Sequence, residues 1–475
     1  SPLRKSKLSV KFSEFSAPNT AKDFNDMIQH NQIYEQLMPG RLFARCAFPS
    51  MVSMAVTSLY TVADGIFVGR MIGADALAAI NLVMPLIIMS FALADMVAAG
   101  SSVQISIRLG ERREGEACRI FSFCSLLIVA ISCAAGAGGL LMAEPLVRLM
   151  GAGGAVAELA VAYLRVYALF SPAIMIFFAL DNYLRICGLV RYSMMLNILT
   201  SVLNILLDFW LLVVLRRGIA AAALASCLSL ALGTLLGLLP FLMRRDLPLR
   251  FQHGRLPLRM VASILANGSS EFFSNISGSV LMIILNTVLL RLSGSLAVAA
   301  FSIVMYVDSV VKSLLFGMAD SLQPALSYNY GAGNRKRILA LERWVLGAAA
   351  LLSAATMLWM LLGGEQILAL FVRTSDPALL AMSIRAMRLF SLSYLFSWAG
   401  IALSSFFTAL NRPVFSLVMA FCQTLAFPLF CLTLLSSLLG LDGVWLTAAA
   451  AGALSQAVTL RFRPPEDGEF SSSWL

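Results

Sequence analysis

Residues 70–110 read RMIGADALAAINLVMPLIIMSFALADMVAAGSSVQISIRLG, and residues 291–331 read RLSGSLAVAAFSIVMYVDSVVKSLLFGMADSLQPALSYNYG. The two stretches lie over each other without a gap, at a constant offset of 221 positions. Arg70 falls on Arg291, Gly73 on Gly294, Val83-Met84 on Val304-Met305, Ala98 on Ala319, Ser106 on Ser327 and Gly110 on Gly331. Eleven of the 41 positions are identical. Apolar bias inflates such a count, so the matched glycines and arginines in one register weigh more than the number. An internal repeat in a hydrophobic chain is the usual mark of a secondary transporter, whose two similar halves can rock about a shared central site.

Composition agrees. The chain has 475 residues, of which 59% are hydrophobic and 13% charged. A water-soluble domain carries about 25% charged residues, so this surface belongs in a bilayer. The length allows about a dozen spans of ~20 residues. In hydrocarbon each span must satisfy its own backbone, which predicts helices. A barrel needs alternating polar residues, and Leu211–Leu215 and Leu224–Leu242 are continuously or nearly continuously apolar. The fold class expected is therefore an all-α polytopic membrane protein of twelve transmembrane helices in two pseudo-symmetric six-helix lobes.

The spans are expected at 42–66, 76–99, 120–142, 159–184, 193–215 and 218–242, then 260–290, 296–326, 344–363, 380–407, 414–438 and 443–460. This predicts a tail over 1–41, an N-lobe over 42–243, a polar linker over 244–259 (RRDLPLRFQHGRLPLR), a C-lobe over 260–460 and a tail over 461–475. Six helices per half start each repeat on the same side, so the halves share an axis along the membrane normal. With a cytosolic N-terminus, 25 of the 35 Lys and Arg fall on inside segments and six on outside ones. That bias predicts both termini in the cytosol, in a bacterial inner membrane. It also accounts for the net charge of +10 without nucleic-acid binding. Residues 1–38 are polar and basic, unlike a signal peptide, and Pro464–Leu475 reads as disordered.

The eight cysteines, Cys46, Cys118, Cys124, Cys133, Cys187, Cys227, Cys422 and Cys431, form no CxxC pair and read as core residues. With only His30 and His253, a histidine metal or proton site is not expected.

An ionised side chain in the bilayer centre costs at least about 2.5–3.5 kcal/mol. Asp64, Asp95, Asp181, Asp208, Glu271, Asp308, Lys312 and Asp320 all fall in predicted spans. Asp64 ends SLYTVAD (58–64). Asp208 ends NILTSVLNILLD (197–208), with Asn204 one helical turn before it and Asn197 and Ser201 extending the stripe. Such a carboxylate and amide can ligate Na⁺ or cage a carboxyl that carries a proton; a structural stripe joining helices is the other use of the pattern. Glu271 lies in NGSSEFFSNIS (267–277) with Asn267, Ser274 and Asn275 around it. Glu271, Asn275, Asp308, Asp320 and Gln323 form a candidate C-lobe substrate or cation site. Asp308 and Lys312, spaced i,i+4, read equally as an internal ion pair. Asp95 reads as facing a helix interface, and Asp181 as lying near a helix end where its charge can reach water.

The chain resembles the multidrug and toxic compound extrusion (MATE) transporters, in the DinF/MepA-like branch, over about residues 42–460. The matching segments are PSMVSMAVTSLYTVADGIFVGRMIGADALAA (49–79), NILTSVLNILLD (197–208), QPALSYNYGAGNRKR (323–337) and ALNRP (409–413). The resemblance implies two six-helix lobes in a V around a central cavity, and efflux of organic cations or other xenobiotics in antiport with H⁺ or Na⁺. It implies a cation-binding and coupling site at Asp64, Asn204, Asp208 and Ser226, with Na⁺ at the first three if Na⁺ is the ion, and a C-lobe acid at Glu271. No cofactor beyond the coupling ion is implied. The proline that follows the helix-5 aspartate in the family is Phe209 here.

The expected partners are the bilayer and small cationic, amphipathic drugs, with no nucleic acid and a monomer as the working unit. An alternative is a flippase for lipid-linked substrates, which favours a cationic cavity; seven intramembrane acids against one lysine lean the other way. A membrane enzyme would need a DDxxD, HExxH or GxSxG motif, and none is present. A scaffold would leave the buried acids unexplained.

Overall fold

The structure is a computed structural model, and it describes residues 33–150, 153–244, 246–364, 366 and 377–462. Most of the predicted tails, His30 and Arg373 lie outside the described residues. Among the described residues there is no strand. Eleven helices among the described residues are long and apolar enough to cross a membrane.

The first six helices are α1 (Pro39–Met71), α2 (Ala74–Gly110), α3 (Glu114–Leu149), α4 (Gly154–Ile186), α5 (Val190–Asp208) and α6 (Ile219–Met243). The second six begin with α7 (Leu258–Gly294), α8 (Leu296–Gly331) and α9 (Arg335–Leu362). Next, α10 runs Pro377–Ser391, tightens over Leu392–Leu395 and resumes as Ser397–Ala409. It is followed by α11 (Pro413–Leu439) and by α12 (Leu441–Phe462), which completes twelve. The bundle is all-α, as expected.

Two helices run well past their predicted ends. Helix α2 continues to Gly110 because the polar run after residue 99 is satisfied inside the bundle rather than by water. Ser102 Oγ donates to Ala98 O and Ser106 Oγ to Ser102 O. Helix α9 starts at Arg335, capped by Asn334, whose side chain accepts from Arg337 N.

The repeat found in the sequence reappears as paired geometry. Gly73 (φ 122°) and Gly294 (φ 68°) make the α1–α2 and α7–α8 turns in the left-handed region that suits glycine. Helices α2 and α8 cross at equivalent points: a Cβ on Gly110 would strike Tyr328 O, and one on Gly331 would strike Ile107 O. Both pairs, 107/328 and 110/331, are spaced by the repeat offset. The seam is therefore self-complementary about a pseudo-two-fold axis, and the matching helix ends lie together, so the repeats run in parallel.

The flanking contacts are also exchanged between halves. Helix α2 packs on α7, where Gly100 faces Ile264 O and Gly268 faces Met96 O. Helix α8 packs on α1, where Gly317 faces Ser50 O. These approaches leave no room for a side chain. Gly268→Val should lower stability by about 1–3 kcal/mol through overpacking. Gly278→Ala, whose new methyl meets nothing within 4 Å, should be neutral. Thermal unfolding of both variants in detergent checks this.

The segment between α6 and α7 is polar in sequence yet ordered against α3. Leu247 and Leu249 are buried, and the rings of Phe251 and Phe121 lie 4.9 Å apart. Cys118 Sγ donates to Pro248 O (3.3 Å) and Gln252 N donates to Ser122 Oγ (2.7 Å). Arg250 and Arg255 face out while Leu247 and Leu249 point into the bundle. Like the α2–α3, α8–α9 and α10–α11 turns, it lies at the arginine-rich end of the bundle, the basic end.

Candidate functional site

Asp208 closes the α-helical part of α5 and is fully buried; Asn204, one turn earlier, is buried with it. Directly after Asp208 the chain widens into a π-helix, Phe209–Val214. With Phe209 in place of a proline, the backbone keeps its hydrogen bonds but changes their register. Asp64 of α1 sits opposite, within hydrogen-bonding reach of the Asp208 carboxyl. Ser226 of α6 closes the third side. The Asn204 amide satisfies both neighbours when Nδ2 donates to Asp208 Oδ2 (3.1 Å) and Oδ1 accepts from Ser226 Oγ (2.9 Å) and N (3.2 Å). The structure thus brings together all four residues predicted for this site.

Asp64 Oδ1 and Asp208 Oδ1 are buried without a hydrogen-bond donor. Two carboxyls can hydrogen-bond to each other only if one carries a proton. Fully ionised at ~4 Å, the pair would repel by about 4 kcal/mol at an effective dielectric of about 20. A shared proton or a monovalent cation removes that repulsion and satisfies the orphaned oxygens. Two carboxyls, an amide and a hydroxyl form an oxygen-rich donor set that fits either ion.

Three tyrosines that the sequence reading did not single out surround the pair. Tyr60 lies beside both acids, and Tyr163 of α4 is close to Asp64. Tyr167 of the same helix lies close to Tyr163 and Ser226, and the Tyr163 and Tyr167 rings stack at 5.0 Å. Their i,i+4 spacing in AVAYLRVYALF (160–170) was the signal available.

The second predicted group divides. Glu271 of α7 lies close to Asp320 of α8 and also to Asp95 of α2, so this acid cluster joins both lobes. Asn275 Nδ2 donates to Asp95 Oδ2 (3.1 Å). Gln323 Nε2 donates to Asp320 Oδ1 and to Ser405 Oγ, each at 3.0 Å. Asp95 therefore belongs to the cluster. A cleft of about 190 Å³ opens beside it, walled by Ile88, Phe91, Met175 and Phe178, with Asp95 and Asn275 as its polar points. Asp308 is held elsewhere: it accepts from Lys312 Nζ (2.7 Å) and from the Tyr394 hydroxyl (2.9 Å). The structure places it in an ion pair within the C-lobe.

Asp181 lies near the end of α4 with its side chain 13% exposed, and its charge is met by protein groups. It pairs with Arg185, whose side chain is 5% exposed, and accepts from Ser193 Oγ (2.5 Å) and Asn197 Nδ2 (2.8 Å). Asn197 thus serves this α4–α5 network instead of extending the Asp208 stripe.

The sequence profile of the MatE family matches the chain over residues 49–210 and again over 272–433, once in each half. The chain belongs to the MatE family. The multidrug export protein MepA of Staphylococcus haemolyticus is 23% identical over 401 residues, which cover 84% of this chain and 87% of that protein. A MOP superfamily transporter from Pyrococcus furiosus superposes with a TM-score of 0.85 at 25% identity, over 92% of this chain and 96% of the other. An outward-facing multidrug resistance MATE transporter superposes with a TM-score of 0.84 at 25% identity, over 91% and 97%. This MatE chain is accordingly a multi-pass membrane transporter and not an enzyme.

Proposed function

We propose that the protein exports cationic, amphipathic drugs in antiport with H⁺ or Na⁺, working as a monomer in a bacterial inner membrane with its basic end and both termini in the cytosol. The observation that carries this reading is the pair of a half-buried Asp64 and a fully buried Asp208, with one buried, orphaned oxygen on each carboxyl. An ion entering from outside binds there, offsets the repulsion and favours one packing of the N-lobe.

The apolar cleft at Asp95 and Asn275 suits a drug with a hydrophobic body and a positive centre. Its neighbours Glu271 and Asp320 add negative charge, which disfavours the anionic headgroup of a lipid-linked substrate. Export of several drugs is also supported by the name of the MepA relatives. The basic end binds the cytosolic leaflet through the positive-inside bias.

Purified protein in liposomes, with a fluorescent organic cation and with pH and Na⁺ gradients imposed separately, tests the reading. The cation should move against one of the two gradients. Movement that ignores both would overturn antiport.

A further inference from the structure

Immediately before α1, the four-residue helix Ile33–Gln36 crosses the basic end of the bundle and touches both halves. Tyr34 is 2% exposed, an unusual burial for a side chain outside any span. Its hydroxyl donates to Arg185 O at the end of α4 (2.5 Å). Its ring lies 5.7 Å from that of Tyr328 on α8, and its carbonyl accepts from Asn329 Nδ2 (3.1 Å). Asn329 is itself wholly buried.

Glu35 repeats the bridge. It accepts from Arg112 in the α2–α3 turn (2.9 Å) and from the Tyr328 hydroxyl (3.1 Å). Arg337 at the start of α9 donates to Leu37 O. One short segment thus makes two side-chain bonds to the first half and three to the second. It meets α8 at Tyr328, whose carbonyl Gly110 of α2 abuts.

We propose that Ile33–Leu37 is a strap that holds the two lobes together at the basic end, with Tyr34 as its plug, and that it must leave this seat before the central cleft can open there. The inference rests on the alternating-access reading above. The seam between Gly110, Tyr328, Ile107 and Gly331 cannot part while Tyr34 is bonded to Arg185 on one side and Asn329 on the other. Most of the strap's bonds are to backbone carbonyls or from buried partners. They are therefore lost as a unit when Tyr34 withdraws, which makes the element two-state. The Glu35–Arg112 pair is partly exposed and contributes less.

The test reads lobe separation instead of transport. Ile107, 6% exposed in the seam, is replaced by cysteine, and its reaction with a membrane-impermeant thiol reagent is followed in inside-out vesicles. The reaction of the protein without that cysteine is subtracted.

Adding Tyr34→Ala should speed labelling by about tenfold, the population shift expected when a buried hydrogen-bonded anchor is lost. Tyr34→Phe should speed it less. Glu35→Arg should speed it, and Glu35→Arg with Arg112→Glu should restore it, a rescue that misfolding would not produce. The strap is overturned if labelling in the Ile107→Cys protein responds to ion gradients but Tyr34→Ala and Glu35→Arg leave its rate unchanged. If no variant and no gradient changes labelling, the alternating-access reading falls and the strap with it.

Discussion

Asp208→Asn is expected to abolish the response of drug efflux to ion gradients while leaving the protein folded. The amide keeps the size of the carboxyl and can still meet Asn204 and Asp64. It cannot carry the second negative charge. The repulsion that an ion relieves is then absent, and ion binding no longer selects between packings. A coupling free energy of about 1–3 kcal/mol corresponds to roughly 5–150-fold in affinity, so gradient-driven uptake should fall by at least about tenfold. Asp64→Asn should do the same. The double variant should be little worse than either single one, because the two acids act as one unit. Ser226→Ala should weaken coupling less, since it removes one hydroxyl and leaves both carboxyls. The assay is liposome uptake under imposed gradients, with circular dichroism and elution volume as folding controls. Normal coupling in Asp208→Asn protein would sink the assignment.

Asp181→Ala is expected to cost about 3–5 kcal/mol of stability, because it strands a buried guanidinium. Arg185 has Asp181 as its carboxylate partner, with Ser193 Oγ at 3.4 Å as a weaker contact. Removing the acid also frees Ser193 and Asn197, each now bonded to it. The companion variant Asp181→Ala with Arg185→Met should recover most of the loss, since replacing both members of a buried pair by apolar groups is often neutral. Thermal unfolding in detergent of the single and double variants measures the difference. If the single variant unfolds at the parental temperature, the pair holds nothing together.

The site was unevenly legible in the sequence. Asn204 and Asp208 stand one helical turn apart in an apolar helix, a local pattern that periodicity reveals. Asp64 and Ser226 joined them through the family resemblance, since residues on separate helices have no spacing to read. Tyr163 and Tyr167 had the same i,i+4 spacing but blended into a chain rich in aromatic residues. Asp95 and Asn275 are 180 positions apart, and nothing local marks them as neighbours. By spacing alone Asn197 shares the Asp208 face, three turns before it. The structure turns it to Asp181, which offers a stronger acceptor across the α4–α5 contact.

What the sequence by itself determined is the solvent, the secondary structure and the duplication. Few charges and long apolar runs force helices into a bilayer, and a register of 221 makes the two halves alike. What only the tertiary structure decided is which buried charges meet. It set Asp64 against Asp208, drew Asp95 across to Glu271 and Asp320, gave Asp308 the Tyr394 hydroxyl, and seated Tyr34 between the lobes. A helix's own period sets the face a residue occupies, but the residue it meets depends on how distant helices pack, and no spacing along the chain encodes that.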